Sequence, residues 1–158
     1  MQFRKSLFIL LLVLTTLPSL QLKAQEYTIE EMSDENAAVP RPLSISRVTP
    51  INGGLRIFIN TRDPDAIARL VSAGSLQAQL SNNEAGTETI LPLSFGKAVW
   101  CEFPGSPAYL AFGDPLPGCN GNSPARIEYY FEVAAVLGPG LDLAIGQDPE
   151  FLWLIEER

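Results

Sequence analysis

The feature that most constrains the fold is an alternating run within residues 126–140. Every second side chain of this run is apolar or aromatic: Ile127, Tyr129, Phe131, Val133 and Ala135. Successive side chains of a β-strand point to opposite faces, so a period of two predicts a strand with one buried face. Gly138–Gly140, with a central proline, then ends it. We therefore predict that this strand lies at the centre of a β-sheet fold.

Shorter runs of the same kind occur elsewhere, separated by turn signals such as Asn52-Gly53-Gly54. They predict strands over 43–48, 55–60, 76–80, 87–95 (interrupted by Pro92), 97–103 and within 141–158. Several short strands separated by turns in this way indicate a β-sandwich. The predicted fold class is mainly β, a single antiparallel β-sandwich with one short inserted helix.

The inserted helix is predicted over Pro64–Ala73. Asp63 suits the N-cap position, Pro64 the first helical position and Gly74 the position after the end. Asp63 and Asp65 also resemble a pair of calcium ligands, but calcium needs six to eight oxygen atoms. Capping and the helix dipole explain both acids, and we predict no metal site and no cofactor.

Residues 1–24 have the pattern of a secretory signal peptide. Arg4 and Lys5 precede an apolar run from Leu7 to Leu14, and Ala24 precedes the predicted mature start at Gln25. The alternative, a membrane anchor, needs a longer run to span about 30 Å of hydrocarbon. The 22–25 ending resembles the signal peptides of exported Bacteroidetes proteins. We expect a periplasmic, cell-surface or extracellular protein that is not inserted in the membrane once the signal is removed.

The mature chain is acidic. The full sequence has a net charge of −7, and the predicted signal peptide carries three basic residues and no acid, so its removal gives −10. A chain of this charge repels phosphate backbones, so we expect no nucleic-acid partner. Residues 25–42 form an acidic lead-in with few large apolar residues, predicted to be largely disordered. The alternative is that Tyr27, Ile29 and Met32 form a short helix or an added strand. Residues 43–158 form the predicted sandwich domain.

The two cysteines, Cys101 and Cys119, predict a disulfide, because an even count in an exported protein favours pairing. Two free thiols are the alternative. The enclosed loop is rich in proline and carries the aromatic residues Phe103, Tyr109 and Phe112. Rigid aromatic side chains provide contact area at little entropic cost, so these three are candidate binding residues. The alternative is that they cover the end of the sandwich as a structural lid.

Two segments resemble a known family. Tyr129–Ala135 followed by Gly138–Gly140 looks like the penultimate strand of fibronectin type III domains, and Gly54–Ile59 is similar to their second strand. The resemblance implies a sandwich of the fibronectin type III or immunoglobulin-like kind. It does not imply an activity, because such folds carry many functions.

The chain contains no histidine, which excludes Ser-His-Asp and Cys-His catalysis. Glu102, Asp114, Glu128 and Glu132 are the carboxylates available for a small carboxylate-based hydrolase, a remote alternative. Glu128 and Glu132 fall on the polar face of their strand, so solvent exposure explains them. We predict a non-catalytic binding or adhesion module with an unknown protein or glycan ligand. The alternative is a structural accessory subunit of a cell-envelope assembly, held through the lead-in or the final strand.

The disulfide can be tested directly. Replacing Cys101 and Cys119 together by serine should lower the free energy of unfolding by about 3 kcal/mol, because the bond limits the conformations of the unfolded loop. Denaturant unfolding of both proteins under oxidising conditions measures the difference. Two reactive thiols in the unreduced protein, purified from its export compartment, would contradict the prediction.

Overall fold

The computed structural model describes residues 25–32, 43–101, 109–112, 127–147 and 150–158. These ranges contain ten strands and one helix. In chain order the elements are β1 (Tyr27–Glu31), β2 (Leu43–Ile51), β3 (Gly54–Thr61), α1 (Pro64–Ser72), β4 (Gln77–Asn82), β5 (Thr87–Leu91), β6 (Ser94–Cys101), β7 (Tyr109–Phe112), β8 (Ile127–Val133), β9 (Leu141–Gln147) and β10 (Glu150–Glu157).

The strands form two five-stranded antiparallel sheets. The first sheet has the order β1-β10-β9-β4-β5, and the second has the order β2-β3-β8-β6-β7. The sheets pack face to face, which confirms the prediction of a mainly β sandwich with one helix. β8, the strand with the strongest alternation in the sequence, is the middle strand of the second sheet.

The core lies between the two sheets and takes every second side chain from the central strands. The second sheet contributes Leu55, Ile57, Ile59, Phe131 and Val133, and the first contributes Ala78, Leu143, Ile145, Trp153 and Ile155. Each large apolar side chain removed from water stabilises the fold by roughly 1.5–3 kcal/mol. The inward register of β3 and β8 follows from their sequence period of two.

Helix α1 leads the chain from β3 in the second sheet to β4 in the first. The Asp63 carboxylate accepts a hydrogen bond from the Ala66 backbone N–H at 2.9 Å, so it caps the helix as predicted. Ile67 is fully buried in the core between the sheets. Gly74 has a φ of +69°, a left-handed conformation that glycine adopts without steric cost, and it ends the helix. The predicted helix is therefore confirmed to within one residue.

Five residues of the lead-in, Tyr27–Glu31, form strand β1, which is the added strand given as the alternative to disorder. β1 lies beside β10, where the Met32 N–H donates to the Leu152 carbonyl and the Arg158 N–H donates to the Glu26 carbonyl, each at 2.8 Å. Tyr27 packs against the core. Ladder hydrogen bonds and the partly buried ring of Tyr27 therefore stabilise an ordered strand in a segment of acidic composition. Residues 33–42 of the lead-in lie outside the described residues.

The C-terminal stretch contains two strands, β9 and β10, where the sequence predicted one. The register of β10 shifts between Phe151 and Trp153, which is a β-bulge. Because the bulge inserts one extra residue, the neighbouring side chains of Leu152 and Trp153 are both buried. This explains why an uninterrupted apolar run occurs in a strand that lies within a sandwich.

Candidate functional site

The predicted cysteine loop contains a strand. Cys101 is the last residue of β6, and the backbone of Tyr109–Phe112 forms β7, with Tyr109 paired to Cys101 and Phe112 paired to Ala98. The side chains of Cys101, Tyr109 and Phe112 lie outside the described residues, as do Phe103 and Cys119 entirely. The disulfide and the binding role of the three aromatic residues therefore stay predictions.

Of the four carboxylates singled out in the sequence, the structure describes Glu128 and Glu132. Glu102 and Asp114 are outside the described residues. Glu128 is only 9% exposed, so the expectation that it faces solvent is wrong. Together with its neighbours it forms a cluster on the outward face of the second sheet, which we call the outer-face cluster: Arg47, Arg56, Phe58, Glu128, Tyr130 and Glu132.

Two arginine–glutamate pairs hold the outer-face cluster together. Arg47 donates from Nη1 and Nη2 to the two oxygens of Glu128, at 3.1 and 2.6 Å. Arg56 donates from Nε to Oε1 of Glu132 at 2.8 Å. A buried carboxylate is stable when a guanidinium neutralises it with two parallel hydrogen bonds. Both carboxylates thus have charge partners, an arrangement suited to a structural ion pair.

Aromatic rings lie between the two ion pairs. The Arg47 guanidinium carbon is 3.6 Å from the centre of the Phe58 ring, and that of Arg56 is 4.8 Å from the centre of the Tyr130 ring. The two ring centres are 5.9 Å apart. Burial raises the pKa of Tyr130 above the usual 10.0, the Glu132 carboxylate raises it further, and Arg56 partly offsets this increase. The phenol therefore stays neutral at physiological pH.

A surface pocket between α1 and the second sheet offers a different arrangement. This helix–sheet pocket has a volume of about 340 Å³ and is lined by Pro64, Asp65, Phe95, Gly96, Lys97 and Tyr129. The rings of Phe95 and Tyr129 are stacked, with centres 5.8 Å apart and planes 8° apart. Asp65 in the first turn of α1 and Lys97 on β6 are both exposed. The pocket thus combines two aromatic rings with one negative and one positive group.

The two charged side chains of the helix–sheet pocket have no polar partner among the described residues. Within the part of the chain that the structure describes, neither Asp65 nor Lys97 forms a side-chain hydrogen bond or an ion pair. A second pocket of about 340 Å³, near the β2–β3 turn, contains Glu132, which is already paired with Arg56. Exposed, unpaired charges beside aromatic rings are the groups that recognise a ligand, so the helix–sheet pocket is the stronger candidate site.

Sequence reasoning missed this pocket because it is built from three separate segments. In the sequence, capping and the helix dipole explain Asp65, Tyr129 falls on the apolar face of its strand, and Phe95 is only the end of a predicted strand. One signal was present in the sequence: Lys97 follows Phe95 at a spacing of two, so both face the same side of β6. A lysine on the core-facing side of a strand indicates that this end of the sheet is open to solvent.

Comparison of the chain with family models, with characterised proteins and with solved structures found no match. Among the described residues, no helix has the length and apolar character needed to cross a membrane. No group of three or more acidic, cysteine or histidine side chains in those ranges is placed to hold a metal ion.

Gly96 gives a test of the outer-face cluster. A Cβ atom added at Gly96 would clash with Cζ of Tyr130, because the tyrosine ring lies directly over the glycine. Gly96→Ala should therefore displace the ring and lower the free energy of unfolding by about 1–3 kcal/mol. Denaturant unfolding measures the loss.

Gly138→Ala is the matched control, since its added Cβ would meet only one side-chain oxygen, at 3.9 Å. Its stability should stay within about 0.5 kcal/mol of the unchanged protein. Equal stability of the two variants would contradict the packing of Tyr130 on Gly96.

Proposed function

We propose that this chain is an exported, non-catalytic binding module in which a fibronectin type III-like β-sandwich positions a ligand site. The site is the helix–sheet pocket. The observation that supports it is the placement of the unpaired, exposed Asp65 and Lys97 beside the stacked rings of Phe95 and Tyr129.

The chemistry of the pocket limits what it binds. Its volume is near the lower end of the roughly 300–1,000 Å³ usual for ligand sites, so one sugar ring or one side chain of a protein ligand fits. The aromatic rings offer an apolar surface with a negative face, which favours C–H groups of the ligand. The carboxylate accepts hydrogen bonds and the ammonium donates them. A protein or glycan segment with one apolar face and polar edges matches these groups.

The rigid surroundings support a binding role. Phe95 also contacts Phe131 of the core, with ring centres 6.1 Å apart, and Tyr129 lies on the central strand β8. Asp65 is fixed by a helix whose N-cap hydrogen bond is formed. Side chains held on packed strands and a capped helix lose little entropy when a ligand binds.

A second candidate function is that of a structural accessory subunit of a cell-envelope assembly. It is favoured by the pairing of β1 with β10, which brings the lead-in and the C-terminal strand to one edge of the first sheet. Ile29 and Met32 are 37% and 40% exposed there. Exposed apolar side chains at a sheet edge suit a contact with another subunit.

The test is crosslinking of the exported protein in its native cells, followed by affinity capture and analysis of recovered proteins and glycans. Lys97→Glu should reduce the recovered ligand about tenfold, because it reverses one of the two charges that contact it. Arg158→Glu is the control: it makes the same charge reversal at an exposed side chain outside the pocket.

The two candidate functions differ in which variant matters. Loss of a ligand with Lys97→Glu, and not with Arg158→Glu, supports the binding module. Unchanged recovery with Lys97→Glu would contradict it. Loss of envelope proteins with Met32→Glu alone would instead favour the accessory subunit.

A further inference from the structure

Strand β5 lies at an edge of the first sheet, and most of its side chains are exposed to solvent. Within the described residues it pairs only with β4, through five consecutive residues and without a bulge. The side chains of its first four residues, Thr87 to Ile90, are all exposed, and Ile90 is 46% exposed. An edge strand with a regular backbone and an exposed apolar residue is a template for pairing with another strand.

The backbone groups that face outward from β5 can be assigned. The Asn83 N–H donates to the Gly140 carbonyl at 2.9 Å, so the odd-numbered residues of β4 face β9 and the even-numbered ones face β5. The β5 partners of the even-numbered residues are Thr87, Thr89 and Leu91. The N–H and C=O groups of Glu88 and Ile90 therefore point away from the sheet.

The other edges with described side chains carry protection that β5 does not have. β1 contains Glu30 and Glu31, with Glu26 just before it. β2 has a register shift between Ile45 and Arg47 and contains Pro50. Charges, bulges and prolines each hinder edge-to-edge pairing. β5 contains one acid, and Pro92 lies just beyond its end.

We propose that β5 pairs antiparallel with β5 of a second copy of this chain, around a two-fold axis at Thr89. The two five-stranded sheets then form one sheet of ten strands. In this register Glu88 lies opposite Ile90 of the second copy, and each such pair exchanges two backbone hydrogen bonds. The interface is closed by its own symmetry, so it gives a dimer and not a fibre.

Charge favours a second copy at β5 over β1. Although the chain carries a net charge of −7, the register places no glutamate opposite another glutamate. The Glu88 carboxylate also accepts a hydrogen bond from the Gln79 side chain at 2.7 Å, which holds it over its own sheet. The same pairing at β1 would bring together two strands with three acids each in or beside them.

A five-residue edge buries a small area, so the dimer is weak and depends on concentration. Sedimentation velocity of the full chain over a range of concentrations measures the dimer fraction. The unchanged protein should shift from monomer to dimer as its concentration rises. A monomer at every concentration up to about 1 mM would overturn the proposal.

Two substitutions at Ile90 separate strand pairing from general hydrophobic association. Ile90→Lys places a positive charge opposite Glu88 of the second copy, and Ile90→Glu places a negative charge there. Both remove the same apolar side chain, but the lysine variant should dimerise about tenfold more tightly than the glutamate variant. The reason is that the pair of residue 90 with Glu88 of the second copy is attractive in one variant and repulsive in the other, and this pair occurs twice in the dimer. Equal dimerisation of the two variants would overturn the proposed register.

A proline substitution tests the role of the backbone. Ile90→Pro removes an outward-facing N–H that makes no bond to β4, so the fold should keep its thermal stability while the dimer is lost. Thr89→Pro is the matched control, since it removes an N–H that faces β4 and should lower the thermal stability. A dimer that survives Ile90→Pro in a folded protein would overturn the proposal.

Discussion

The structure depends on a central strand that is buried on both faces. β8 directs Phe131 and Val133 into the core between the sheets, and its opposite face carries Glu128 and Tyr130, each only 9% exposed. A strand in this position must satisfy apolar packing on one side and polar groups on the other. The ion pairs with Arg47 and Arg56 meet the second demand, because they neutralise the buried carboxylate of Glu128 and the partly exposed carboxylate of Glu132.

The sandwich and its helix could be predicted from the sequence because both rest on local patterns. The period of two in β3 and β8 identifies strands, and Asp63 with Gly74 marks the ends of α1. The outer-face cluster could not be predicted, since an alternating glutamate has the same pattern whether it meets solvent or a guanidinium. Arg47 and Glu128 are 81 residues apart, and only the sheet order brings them together.

The candidate site is a product of the same packing. The sequence predicts candidate binding residues in the cysteine loop, whereas the described residues bring an acid, a lysine and two rings together between α1 and β6. None of these residues belongs to a motif, and each has an ordinary structural explanation on its own. Their combination depends on how closely the helix approaches the sheet, which is a property of the core side chains beneath them, such as Ile67.

The position of β1 has a consequence for the order in which the protein folds. β1 is the first of the described strands, and its neighbour in the sheet, β10, is the last. A chain that emerges from its N-terminus must keep β1 unpaired until nearly all of the other strands have followed. Such a long sequence separation slows folding, because loop closure precedes the gain from pairing. The first sheet therefore cannot be completed until the last of the described strands has been synthesised.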